Sequence, residues 1–193
     1  MKRTKGTRRP LDAYYTPAWM TRALIAHVPE IRGNVMECCV GDKSIDAVLV
    51  KDSDYDVLFT NDIDPTKSAY RHLCASDPHL YKDLDVDWVI TNPPYAMPLC
   101  TNIVANAIKH ARVGVAMMLR ISFEEPTAKV NPRGPFLEAN PLTRKLVMPR
   151  HSFTGNGKSD SATTAWMIWS KVPLSGAPML SLYRANELYA RPF

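Results

Sequence analysis

Four short apolar segments, at residues 35–38, 56–60, 86–91 and 113–119, alternate with stretches whose apolar side chains suit helices, at 44–50, 66–73 and 99–111. This alternation constrains the chain more than any other feature, because strands that alternate with helices imply a largely parallel, doubly wound sheet. The strand segments are rich in β-branched residues in most cases and read as buried. In such a sheet, ligands sit beyond the carboxyl ends of the strands, so the chemistry is expected in the loops at 38–43, 61–64 and 92–95. Before the first strand, Thr16-Pro17 suits a helix opening, with Thr16 as the cap and Pro17 pre-set for the first turn; Trp19, Ala23 and Ala26 follow at helical spacing, and Pro29 closes the segment. Near the other end, segments 144–148 and 165–169 are strand candidates separated by a Gly/Ser/Lys loop, which suits a closing antiparallel hairpin. Trp166 and Trp169, three apart in that last strand, should point to opposite faces, and packing explains at least one of them.

The fold class is therefore α/β, a Rossmann-like and mostly parallel sheet with a C-terminal antiparallel hairpin. With 193 residues, 46% of them hydrophobic and 22% charged, one domain with a real core is expected over residues 12–193. A basic arm, residues 1–11, precedes it: Lys2, Arg3, Lys5, Arg8 and Arg9 suit either attraction to phosphates or a solvated tail. No apolar run approaches the roughly 20 residues that cross a bilayer, and no signal-peptide pattern follows the basic start, so a soluble, cytoplasmic protein without a membrane partner is expected. Cys38, Cys39, Cys74 and Cys100 lack the spacing of a zinc knuckle or a disulfide framework and read as reduced thiols in or near the core. No metal is expected.

Asn92-Pro93-Pro94-Tyr95 follows a buried strand directly and so projects from the sheet edge. The two prolines fix their own φ and hold each preceding residue extended, which makes a rigid turn presenting the Asn92 amide and the Pro93 carbonyl. Two acceptors can then face one NH2 group. An exocyclic amine on a purine is a weak nucleophile because its lone pair is delocalised into the ring; hydrogen bonds from both N–H groups to these oxygens favour a pyramidal nitrogen with a free lone pair. Displacement on a sulfonium methyl then needs mainly alignment. Tyr95 offers a flat face for a base that is flipped out or already single-stranded. The alternative is that the tetrapeptide is simply a turn after a strand.

Its neighbours argue for the chemistry. Glu37, Cys38, Gly41 and Asp42 put an acid near a strand end and a glycine in the next loop, where backbone approaches a ligand closely, which suits the methionine part of a cofactor. Asn61, Asp62, Ile63 and Asp64 follow the next strand; Asp62 is placed to accept ribose hydroxyls, whereas Asp64, before Pro65, suits a helix cap. Asp77 suits either the cofactor's adenine amine or a surface turn with Pro78.

With these residues in place, the chain resembles the N6-adenine DNA methyltransferases, especially small phage and prophage enzymes of the class I methyltransferase fold. Tyr14-Tyr15-Thr16-Pro17, the segment 37–43, the segment 61–64, Asp77 and Asn92-Pro93-Pro94-Tyr95 occur in that family's order. The resemblance implies S-adenosylmethionine as cofactor, with Tyr15, Thr16 and Pro17 joining its site, and methyl transfer to adenine N6 of DNA, or RNA, in a bacterial or phage-infected cell. Segments 119–124 and 149–169 fit the later part of such enzymes, and Arg120, Arg150, His151 and Lys158 are the expected nucleic-acid contacts. One departure is Lys43, where the cofactor loop usually has a second glycine; a side chain there could narrow the site, and it motivates the rival reading of an inactive, nucleic-acid-binding relative.

Enzymes that methylate glutamine in release factors or the exocyclic amine of ribosomal guanine share Asn-Pro-Pro-Tyr, so the motif names the nucleophile better than the substrate. The basic residues favour a polyanion. A nuclease built on Asp52, Asp54 and Asp56 is disfavoured because such alternation is more often a solvated loop, and a hydrolase built on His151-Ser152 because the chain has no G-x-S-x-G elbow.

Overall fold

The computed structural model describes residues 15–52, 54–125, 133–151 and 162–182. The basic arm and Lys158 lie outside the described residues, so their expected contacts with nucleic acid are not placed. The described chain forms α1 (Ala18–His27), β1 (Gly33–Glu37), α2 (Ser44–Asp52), β2 (Tyr55–Thr60), β3 (Trp88–Thr91), α3 (Leu99–His110), β4 (Gly114–Arg120), α4 (Gly134–Ala139), β5 (Arg144–Val147), β6 (Thr164–Ser170) and β7 (Met179–Ser181). All seven strands join one sheet in the order β2-β1-β3-β4-β6-β5-β7. The first four pair in parallel, β6 runs antiparallel between β4 and β5, and β7 pairs in parallel with β5. The expected parallel sheet and closing antiparallel hairpin are both present.

Strands β3 and β4 are buried almost throughout because both sheet faces are covered. Successive side chains point to opposite faces. Thus Met36, Val89, Val115 and Met117 pack with Ile103, Val104 and Ala107 of α3, while Val35, Trp88, Ile90 and Met118 pack with Leu24 of α1 and Leu49 of α2. The two tryptophans of β6 divide in the same way: Trp166 joins the α1/α2 face and Trp169 the α3 face. The indole N–H of Trp166 donates to the Met20 carbonyl at 2.8 Å, tying α1 to the middle of the sheet.

Two expectations need correction. Residues 66–73 do not form a helix. The chain instead lies along the end of β2: Tyr70 and Arg71 donate their backbone N–H to the Thr60 carbonyl, and Asn61 bridges to Arg71. The Asn61 side chain reinforces this, donating to the Cys38 and Leu73 carbonyls and accepting from Leu73 N–H at 3.0 Å. These bonds satisfy backbone groups that a helix would have paired internally. Nor does Thr16 cap α1, since Pro17 occupies the N-cap position and no side chain caps it. The Thr16 hydroxyl is engaged elsewhere. All four cysteines carry free thiols, two buried and two half-buried. Asp52 and Asp54 are paired separately, with Arg22 at 2.8 Å and Arg32 at 3.3 Å. Among the described residues, no helix is long and apolar enough to cross a membrane.

Candidate active site

The chain leaves β1 for β2 on one side and returns to β3 on the other, so the loops after β1 and β3 diverge from a common edge and open a crevice between them. A cavity of ≈120 Å³ occupies this crevice. Glu37, Cys38, Gly41 and Asp42 line it from the first loop, Asp62 and Ile63 from the end of β2, Asn92 and Pro94 from the third loop, and Tyr15 and Thr16 from the segment before α1. Four separate stretches of sequence therefore meet at one place.

Gly41 has a φ of +58°, and a Cβ there would lie 3.3 Å from the Tyr15 ring, so the loop needs glycine for both backbone and space. Its N–H donates to Asp62 Oδ2 at 2.7 Å, while Asp62 Oδ1 accepts from the Asp64 N–H at 2.9 Å. The carboxylate is thereby held across two loops. Asp64 also borders the cavity, but its Oδ1 accepts from both the N–H and the hydroxyl of Thr66. Those bonds hold the Asp64 carboxyl below its usual range. Asp64 thus caps a turn where a helix cap was expected.

Glu37 is 1% exposed. Burial first, and then the Asp46 carboxyl of α2 hydrogen-bonded beside it, push its carboxyl well above the usual carboxylate range. Its Oε2 and the Asp46 Oδ1 are both buried.

Lys43 adopts a φ of 67°, the left-handed conformation that glycine takes freely. Its side chain leaves the cavity lining and reaches Ser68 Oγ at 3.1 Å. The departure from the family pattern changes the backbone strain more than the space for a ligand.

Asn92 lies at the end of β3, and its Nδ2 donates to the Thr16 hydroxyl at 3.0 Å. Pro93 is buried behind the loop and Pro94 faces the cavity. Tyr95 packs against the α3-side core, and the Arg120 guanidinium lies 5.0 Å from its ring centroid, a cation–π contact. Arg120 ends β4, and Arg150 and His151 follow β5, which runs in the same direction as β4; all three therefore lie toward the edge that carries the cavity. The His151 ring meets Trp19 of α1 edge-on at 5.9 Å.

Not every expected residue lines the cavity. Pro17, Pro93 and Tyr95 border it without entering its lining, and Asp77 sits away from it. Asp77 Oδ1 accepts from the His79 N–H and ring, both at 2.9 Å, and caps the 3-10 turn Pro78–Tyr81. These bonds lower its pKa. Cys74 and Ala75 also line the cavity, and its apolar walls are completed by Ile45, Leu99 and Ile103. Reading 66–73 as a helix hid Cys74 and Ala75, since an extended segment there would have delivered its end to the crevice.

No protein-family model and no curated protein sequence matches the chain. Among solved structures, a Listeria monocytogenes protein described as a class I S-adenosylmethionine-dependent methyltransferase superposes with a TM-score of 0.54 at 12% identity, over 88% of this chain and 65% of its own. The methyltransferase subunit of a type I restriction-modification system from Streptococcus thermophilus gives 0.59 at 14% identity, over 82% of this chain and 44% of its own. An rRNA methylase from Streptococcus thermophilus gives 0.50 at 10% identity, over 81% and 97%. This chain therefore spans under two thirds of the length of the first two. It has the class I methyltransferase fold.

Proposed function

We propose that this protein transfers a methyl group from S-adenosylmethionine to an exocyclic amino nitrogen, and that adenine N6 in DNA is the acceptor. The observation that carries this reading is the shared cavity: Asn92 and Pro94 open onto the same space as Glu37, Gly41 and Asp62. A group that prepares an amine thus stands beside groups suited to a nucleoside with a charged tail.

The residues fit such a cofactor. The buried Glu37 carboxyl, with Asp46 beside it, suits an ammonium group, and the Asp62 carboxylate suits vicinal hydroxyls. Ile63 and Leu99 offer apolar surface for a base. When bound, the cofactor supplies an electrophilic methyl on a sulfonium centre. The protein's share of the work is orientation. The Asn92 oxygen and the Pro93 carbonyl accept hydrogen bonds from the two amine N–H groups, raise the nucleophilicity of the nitrogen and hold it in line. Tyr95 stacks on the base, with Arg120 beside it. Lys43 keeps its side chain on Ser68, away from the lining, which favours a working enzyme over an inactive relative.

Incubation with labelled cofactor and separate DNA, RNA and glutamine-containing release-factor substrates, followed by digestion, tests the assignment. Label is expected in N6-methyl-2′-deoxyadenosine from DNA, and label in N6-methyladenosine from RNA would move the acceptor to RNA. Label confined to glutamine or guanine would replace the acceptor, and no transfer to any of them would remove the reading.

A further inference from the structure

The segment before α1 touches both loops that the proposed reaction uses. Tyr15 lies against Gly41 of the first loop, and Thr16, 1% exposed, accepts the side-chain N–H of Asn92 across 76 residues of sequence. Pro17, next in the chain, opens α1, which Trp166 ties to the sheet at Met20. The Thr16 hydroxyl is therefore carried on a well-anchored element.

An asparagine amide is planar, with donors at one end and an acceptor at the other, and rotation about its last torsion is soft. Only the oxygen is useful to an amine that must give up hydrogen bonds from both of its N–H groups. With the amide turned over, donor would meet donor. Fixing the NH2 end fixes the oxygen as well; the Thr16 hydroxyl, which can donate or accept, is the acceptor in this contact.

We infer that Thr16 is a positioning residue for methyl transfer, its hydroxyl holding the NH2 end of Asn92 so that the amide oxygen faces the acceptor amine. The inference rests on the reading of Asn92 given above. It assigns to Thr16 a role distinct from capping α1 or contacting the cofactor.

Thr16→Val keeps the shape and removes the acceptor, whereas Thr16→Ser keeps the hydroxyl. Losing the hold on the amide should lower kcat of T16V by about tenfold or more, with the cofactor Kd within about threefold of wild type and T16S restoring most of the rate. A second measurement is independent of turnover. In the 15N spectrum of the whole protein, the Asn92 side-chain NH2 pair, assigned by its loss in Asn92→Asp, should move in T16V and return in T16S. Wild-type kcat in T16V, a loss expressed only in cofactor Kd, or an NH2 pair that stays in place would each overturn the inference. If the pair responds as expected but the wild-type protein methylates no acceptor, the functional reading fails and the hold of Thr16 on Asn92 stands.

Discussion

Burial beside the cavity comes at the expense of stability at Glu37. Its carboxyl, buried against Asp46, has a raised pKa, so the folded state keeps a proton that the unfolded chain releases. For a raised acid, stability is lost as pH rises above the unfolded value of about 4.3, and no penalty remains below it. Glu37→Gln mimics the protonated form. It should melt higher than wild type at pH 8, with the difference shrinking as pH falls toward 4, and it should bind S-adenosylmethionine more weakly; thermal melts across pH and titration calorimetry read the two effects. A variant no more stable at pH 8 would remove the argument. Asp62, anchored by Gly41 and Asp64, should on replacement by alanine cost about 1–3 kcal/mol of cofactor affinity, and Asp64→Ala much less. A larger loss in Asp64→Ala would reverse the assignment. Asn92→Ala should leave cofactor binding nearly intact and lower turnover by a hundredfold or more, about 3 kcal/mol of barrier. Single-turnover rates with bound cofactor separate the two.

At the level of elements, β3, β4 and β6 were legible because strands buried on both faces leave a dense apolar run; β2, also expected to be buried, is an edge strand without a buried residue. The failures came where side chains, not periodicity, decide the backbone. Asn61 and Thr60 recruit residues 70–73 into extended pairing, a nonlocal arrangement invisible in a window of neighbours, and the misreading carried Asp77 into the expected adenine site. The strand β7 was missed because three residues, two of them exposed, give no pattern. The loop at 92–95 was legible for the opposite reason: two prolines determine their backbone locally. The contact of Thr16 with Asn92 had no signal at all, since it depends on how α1 meets β3. Packing between elements also fixes Gly114 at the start of β4, where a Cβ would approach within 2.4 Å of the buried Trp88 ring. Gly114→Ala must displace a ring that fills the core between α1 and the sheet. It should cost about 1–3 kcal/mol, as overpacking does, read as a lower denaturant midpoint. An unchanged midpoint would show that β3 and β4 separate more easily than their continuous burial implies.

For the whole molecule, the proposed function raises the question of how a chain of this size would read a polymer. Arg120, Arg150 and His151 stand toward the cavity's edge, the first and second exposed, and they suit phosphates or stacking better than base edges. By sequence, the stretches 122–143 and 151–161 supply few amide or aromatic groups that could read bases: Phe123, Asn131, Phe136, Asn140, Phe153 and Asn156. Phosphate contacts give affinity without sequence information and release counterions, so binding should weaken steeply with salt. With about four contacts, each adding about 0.9 to the log–log slope, raising salt from about 50 to 200 mM should weaken DNA binding on the order of 100-fold. Arg150→Ala should reduce that slope by about 1 and act nearly equally on every DNA sequence. Methylation is accordingly expected at adenine in a short or relaxed context. Mapping modified positions across a long random-sequence DNA, at two salt concentrations, tests both halves of the argument. Modification confined to one fixed site of about six or more base pairs would mean that these short segments read bases directly, because phosphate contacts alone carry no sequence information.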